Sequence, residues 1–157
     1  MLQVGQTAPE FSLLDQHGKP QSLADYAGQT ILLYFYPKDD TPGCTKEACT
    51  IAEVFNEFEN LGVKVFGVSA DSVESHKAFA EKYSLPFLLL SDADYSTVKA
   101  YGAYKEGDGP EHSPQIARVS YLISPDKIIM RAYPAVDPAS HAVEILKDLG
   151  WDSNTQQ

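Results

Sequence analysis

Residues 30–49 read TILLYFYPKDDTPGCTKEAC. The first seven, Thr30 to Tyr36, form a continuous apolar, β-branched and aromatic run. That composition suits a strand buried on both faces of a parallel or mixed sheet. Beyond the loop, Thr41 is a favourable N-cap and Pro42 a favourable first helical residue. Ala48, Ile51, Ala52, Phe55 and Phe58 then recur at helical spacing, and Gly62 closes that helix. A buried strand that runs through a short loop into a helix start points to a layered α/β domain.

The same alternation continues in both directions. Upstream, FSLLDQHGKPQSLADY gives two short extended pieces around the turn-rich His17-Gly18-Lys19-Pro20. Downstream, Val63 to Ala70 is a strand, and Asp71 with Glu74 reads as a capping box for the next helix. FLLL is a short strand, and YSTVKAYG a short helix ended by Gly102. Residues 103–117 form the longest loop. RVSYLIS and KIIMRAY flank Pro125-Asp126 as a hairpin, and DPASHAVEILKDLG is a closing helix with Asp137 as its cap. No repeat or linker divides the 157 residues, so a single domain over 1–157 is expected, with 152–157 a frayed polar tail.

Composition narrows the function classes. With 12 basic and 22 acidic side chains the net charge is −10, and no basic block interrupts the acidity, so a nucleic-acid backbone would be repelled. A small uncharged solute would feel little of that field. The start MLQVGQTAPEFSLL lacks a basic region followed by an apolar run, and no segment approaches the length of a membrane span. Two cysteines are too few for a disulfide scaffold. A cytoplasmic protein with reduced thiols is expected.

Both cysteines, Cys44 and Cys49, lie in the opening stretch. They could be a structural bond, a metal clip, two inert buried thiols or a reaction centre. At 100° per residue, Cys44 falls within the apolar arc of its helix and Cys49 about 140° away. Their Cα atoms would be roughly 8–9 Å apart in an intact helix, beyond the ~7 Å a disulfide tolerates. A permanent bond is therefore disfavoured, and any bond requires the first turns to unwind. His17, His76, His112 and His141 are scattered and the close cysteine pairs of a zinc site are absent, so neither a metal nor another cofactor is expected. DADYSTVKAYGA, from Asp92, begins like a calcium loop but has Thr97 and Ala103 where Gly and Glu are required. In the first helical turn a thiol meets free N–H groups and the positive end of the dipole. That dipole contributes only about 0.3–1 kcal/mol, so a cation is needed as well. Lys46 is nearest in sequence, and the only arginines, Arg118 and Arg131, are both within reach of a suitable fold. Glu47, in the second turn, is suited either to pairing with a cation or to surface solvation.

FYPKDDTPGCTKEAC resembles the peroxiredoxins through a Pro-x-x-x-Thr-x-x-Cys signature met by Pro37, Thr41 and Cys44. The following Thr45, Glu47, Ala48 and Cys49 are similar to the bacterioferritin-comigratory-protein or PrxQ subgroup. The likeness extends over nearly the whole chain, through GQTAPEFSLLDQHGK, VKVFGVSADS, YSLPFLLLSD, the strand opening at Arg118, and SHAVEIL. It implies a thioredoxin-like α/β fold, with a central mixed sheet flanked by helices and an N-terminal β extension. It implies a thiol peroxidase acting on hydrogen peroxide and organic hydroperoxides, in which Cys44 is the peroxidatic thiol and passes through a sulfenic acid. The Thr41 hydroxyl and the backbone at Gly43 and Cys44 would hold the peroxide, Arg118 would orient it and favour the thiolate, and Pro37 would shield the site. Cys49 would resolve the sulfenic acid as an intramolecular disulfide, reduced by thioredoxin or a similar dithiol. A bond within one chain removes the need for a dimer, so a monomer is expected.

The chain departs from the subgroup in two ways. Loop 103–117 lacks its lysine-rich stretch. No third cysteine exists, so either Cys49 resolves Cys44 or an outside thiol does. The same two cysteines also suit a redox-sensing binding protein switched by helix unwinding. A thiol–disulfide oxidoreductase acting on proteins is disfavoured by the four-residue spacing.

Overall fold

The computed structural model describes residues 2–105 and 114–150. The chain enters its sheet through a hairpin in which β1 (Ser12–Leu14) pairs antiparallel with β2 (Pro20–Ser22). Asp15 sets the turn: its Oδ1 accepts from the backbone N–H of His17 at 2.8 Å and of Lys19 at 3.1 Å, and Gly18 takes φ +76°. A short 3-10 turn, Leu23–Tyr26, leads to β3 (Thr30–Phe35). Then come α1 (Pro42–Glu53), α2 (Phe55–Asn60), β4 (Val63–Ser69), α3 (Val73–Tyr83), β5 (Leu88–Ser91) and α4 (Ser96–Ala100). A two-stranded ribbon of β6 (Tyr104–Lys105) and β7 (Gln115–Ile116) precedes the hairpin of β8 (Val119–Ile123) and β9 (Ile129–Tyr133), and α5 (His141–Asp148) follows.

Among the described residues, seven strands form one sheet in the order β2-β1-β5-β4-β3-β8-β9. β3, β4 and β5 are mutually parallel, while β1, β8 and β9 make the two flanks antiparallel. β3 lies near the middle, and its pleat supplies both cores. Leu32, Tyr34 and Tyr36 face a cluster with Ala48 and Ile51 of α1, Phe58 of α2, Phe79 of α3 and Ile145 of α5. Ile31, Leu33 and Phe35 face the opposite cluster, with Phe66, Val98, Tyr101 and Tyr121. An uninterrupted apolar run is what a strand covered on both faces requires.

Several expected boundaries shift for local reasons. The helix expected to continue to Gly62 breaks at Val54, whose φ −113° and ψ 18° are not helical, and restarts as α2 with Phe58 still buried. The cap of α3 is Ser72, whose Oγ accepts from Ser75 N–H at 3.1 Å, and not Asp71. Asp71 is instead taken by Asp39 N–H at 2.8 Å and by the Ser69 hydroxyl at 2.7 Å. Asp137 caps only the turn before α5, accepting from Ala139 N–H at 2.9 Å, and Ser140 holds the cap position. Asp92 and Asp94 both serve the start of α4, accepting from Val98 N–H at 2.7 Å and Ser96 N–H at 3.0 Å. The ends of the expected loop 103–117 pair as β6 and β7; its residues 106–113, and the tail 152–157, lie outside the described residues. No helix among the described residues is long and apolar enough to cross a membrane.

Gly67, in β4, shows how tightly the sheet packs beneath the helices. A Cβ there would lie 2.7 Å from Cζ of Tyr34 and 3.0 Å from Leu89 Cδ2. Gly67→Ala is therefore expected to destabilise the protein by about 1–3 kcal/mol through overpacking. Urea unfolding measures this, and an unchanged midpoint would show that Tyr34 has room to move.

Candidate active site

The loop between β3 and α1 delivers Cys44. Tyr36 is still buried, Pro37 and Lys38 are exposed, and Asp40 takes φ +58° as the chain turns toward the helix. Thr41 is extended, at φ −94° and ψ 156°, and Pro42 is the first helical residue, as their types favour. The Thr41 side chain does not cap the helix, contrary to expectation. Its hydroxyl instead donates to the Lys38 carbonyl at 3.0 Å. Pro42 has no N–H, so the uncapped first turn presents the N–H groups of Gly43 and Cys44.

Cys44 is 1 % exposed and packs into the core with Ala48 and Ile51. Cys49 is half-buried on another side of α1. Burial, and then the Glu53 charge, push the Cys49 thiol up from its ordinary range, against the pull of Lys46. Both cysteines are free, and α1 runs unbroken through them. Helix geometry thus holds their Cα atoms roughly 8–9 Å apart.

Strand pairing chooses between the two arginines. Phe35 of β3 lies opposite Val119 of β8, so Arg118, one residue earlier, sits beside the chain leaving β3. Its Nη2 donates to Cys44 Sγ at 3.1 Å. Arg131 lies on β9, opposite Leu122 and exposed, and Lys46 is exposed too. Gly43 admits the guanidinium: a Cβ there would lie 2.6 Å from Nη2. A guanidinium at this distance stabilises negative charge on sulfur with no need to move during reaction.

Glu47 resolves to one of its two readings. It is buried, at 1 % exposure, and its Oε1 lies 3.5 Å from Arg118 Nη1; surface solvation is excluded. Among the described residues its Oε2 has no hydrogen-bond partner. Burial pushes its carboxyl up to about 7, and the Arg118 charge only partly opposes this. The i, i+3 step from Cys44 to Glu47 on one helical face was the available signal. Sequence alone did not show that this face is covered.

The AhpC/TSA family matches residues 4–132. The chain is 39% identical over 150 residues to peroxiredoxin Bcp of Bacillus subtilis, covering 94% of this chain and 95% of that protein. Its fold matches a crystal structure of a cysteine-to-serine variant of Xylella fastidiosa PrxQ with TM-score 0.89 and 34% identity, over 96% of both chains. It also matches the Xanthomonas campestris bacterioferritin comigratory protein with TM-score 0.84 and 35% identity, over 89% and 90% of the two chains. The mixed sheet flanked by helices is therefore the thioredoxin-like arrangement of these proteins.

Two substitutions probe this geometry. Gly43→Ala should displace the guanidinium and slow oxidation of Cys44 by about tenfold or more, read by stopped-flow fluorescence. A wild-type rate would show that the contact is dispensable. Folded Glu47 holds its proton to about 7, against an ordinary 4.5. Between those values the folded state binds more protons than the unfolded, so stability falls as pH rises through the window, by on the order of 3 kcal/mol. Glu47→Gln should flatten that part of the stability curve between pH 5 and 8. Parallel curves for the two proteins would mean that Glu47 is already charged in the folded state.

Proposed function

Because this chain belongs to the AhpC/TSA family of peroxiredoxins, we propose that it reduces hydrogen peroxide and organic hydroperoxides through Cys44, with Cys49 resolving the oxidised thiol within the same chain. It is a peroxidase of the Bcp and PrxQ type, and its two cysteines fit an atypical two-cysteine mechanism. Alkyl peroxide reduction is the activity described for the Xanthomonas campestris relative. The observation that carries the residue assignment is the buried Cys44 sulfur at a helix start, 3.1 Å from the Arg118 guanidinium.

The Cys44 thiolate attacks the terminal oxygen of R–O–O–H. The S–O bond forms as the O–O bond breaks, leaving a sulfenic acid, and RO⁻ departs and takes a proton as ROH. Negative charge grows on the departing oxygen. Arg118 and the Gly43 and Cys44 N–H groups are the donors placed to meet it. The Thr41 hydroxyl, at the mouth of the helix, turns from the Lys38 carbonyl to the bound peroxide. Pro37, exposed where the chain leaves β3, would shield the site from water.

Cys49 then attacks the Cys44 sulfur, water leaves, and a disulfide forms. The roughly 8–9 Å Cα separation in the helix forbids this bond until α1 opens at its start. Two electrons from thioredoxin or a similar dithiol restore both thiols. The chain acts as a single-domain monomer in the cytoplasm, and its net charge of −10 disfavours nucleic acid without hindering a neutral peroxide.

Peroxide consumption coupled to thioredoxin, thioredoxin reductase and NADPH tests this reading. Cys44→Ser should lose at least about a thousandfold of turnover; wild-type turnover in that variant would sink the assignment. Cys49→Ser should consume one equivalent of peroxide and then stall. After one equivalent, peptide mapping of the wild type should find Cys44 joined to Cys49 in one chain. A Cys44 bonded only to another chain or to a small thiol would refute the resolving step. A wild type that oxidises once without steady turnover would favour the redox-sensing alternative.

A further inference from the structure

Five residues before Cys44, the loop buries a carboxylate. Asp39 is 7 % exposed, and both its oxygens are engaged. Oδ1 accepts from the Tyr36 hydroxyl at 2.6 Å. Oδ2 accepts from the Ser75 hydroxyl at 2.8 Å and lies 2.7 Å from Nδ1 of His76, a fully buried ring. The other ring nitrogen, Nε2, lies 2.9 Å from the Leu90 carbonyl. The Asp39 backbone N–H donates to Asp71 Oδ2, which also accepts the Ser69 hydroxyl.

Hydrogen counting fixes the bonds of the ring. A carbonyl oxygen only accepts, so Nε2 carries a hydrogen. Two bare acceptors would repel at 2.7 Å, so a second hydrogen lies between Nδ1 and Oδ2. Oxygen and nitrogen atoms of Asp39, Asp71 and His76 come within 4.8 Å of one another, a spacing a cation could use. Both ring nitrogens are already committed to these hydrogen bonds, which favours a clamp over a metal ligand set.

Such a cluster is a costly way to fill a core. Well-packed apolar groups in place of a buried polar cluster are often neutral or stabilising, so its value lies in geometry. The geometry it fixes is that of the β3–α1 loop. It ties Asp39 to the end of β4, to α3 and to β5, at the carboxyl ends of the parallel strands. The next residue, Asp40, in its left-handed conformation, is held by Lys82 and Tyr83 of the same α3, each at 2.8 Å. The following residue is Thr41, whose carbonyl accepts from Thr45 N–H at 2.8 Å to begin α1.

We infer that Asp39 and His76 are positioning residues for the peroxidase reaction, clamping the β3–α1 loop to α3 so that Thr41 and the first turn of α1 stay in register with Arg118. This rests on the function proposed above. The clamp acts on the step in which Cys44 meets peroxide. It has no part in reduction of the finished disulfide, for which the first turn of α1 has already opened.

Stopped-flow oxidation of Cys44 by hydrogen peroxide, and separately reduction of the Cys44–Cys49 disulfide by dithiothreitol, test the inference in the full chain. Asp39→Ala and His76→Ala should slow oxidation by about ten- to a hundredfold, the scale of an ångström-sized misplacement. Their disulfide reduction should match wild type. Asp39→Asn should recover most of the rate: its oxygen still accepts from Tyr36, and its amide donates to an Nδ1 that then needs no hydrogen. Val98→Ala, in the core on the other side of the sheet, is the control for lost stability and should oxidise normally. Should Asp39→Ala not fold, Ser75→Ala removes one donor to the same carboxylate and should slow the same step severalfold. Wild-type oxidation rates in the Ala variants, an Asn variant as slow as Ala, or equal slowing by Val98→Ala would each overturn the inference. A wild type that consumes no peroxide would instead remove the proposed function itself.

Discussion

Contact between the Arg118 guanidinium and the buried Cys44 sulfur, at 3.1 Å, constrains much of the architecture around it. A charge can sit against an otherwise apolar pocket only if its remaining donors and the surrounding volume are arranged to suit it. The i+3 position of the same helix supplies Glu47 to the other guanidinium nitrogen. Gly43 leaves out the Cβ that would occupy the guanidinium's place. The antiparallel register of β8 on β3 brings Arg118 to the end of β3. Each of these features alone is ordinary. Together they allow a cation to lie beside a thiol that is 1 % exposed.

The same segment must satisfy opposed demands. In the proposed reaction α1 has to be helical for Cys44 to face the core and for the first-turn N–H groups to meet substrate. It has to open for Cys49 to reach Cys44, since the two lie roughly 8–9 Å apart at Cα in the closed helix. Val54 already interrupts the helical path, so opening of α1 need not disturb Phe58 beneath α2.

How far the sequence could be read depended on the range of the signal. Burial of the Thr30 to Tyr36 run on both faces and the inward position of Cys44 follow from local composition and spacing, and both appear in the structure. Helix caps were misplaced by one to three residues at Asp71 and Asp137. Both are good capping residues, but the backbone partner is chosen by the path of the chain. Asp71 was drawn away by the Asp39 N–H, 32 residues distant. The β6–β7 ribbon leaves no mark in the sequence because two-residue strands carry no periodicity.

The sequence by itself determined the alternation of strands and helices, the helix start at Thr41-Pro42, and the placing of one thiol inward and the other off that face. These follow from repeats of two and 3.6 residues, which act over a few turns of chain. Residue spacing left Arg118 and Arg131 open, and only the resemblance favoured Arg118; the tertiary structure alone decided that Glu47 is buried against that arginine from 71 residues away and that His76 reaches Asp39 across 37 residues. Those pairings depend on strand order and register. No local spacing of residues encodes which strand will lie beside which.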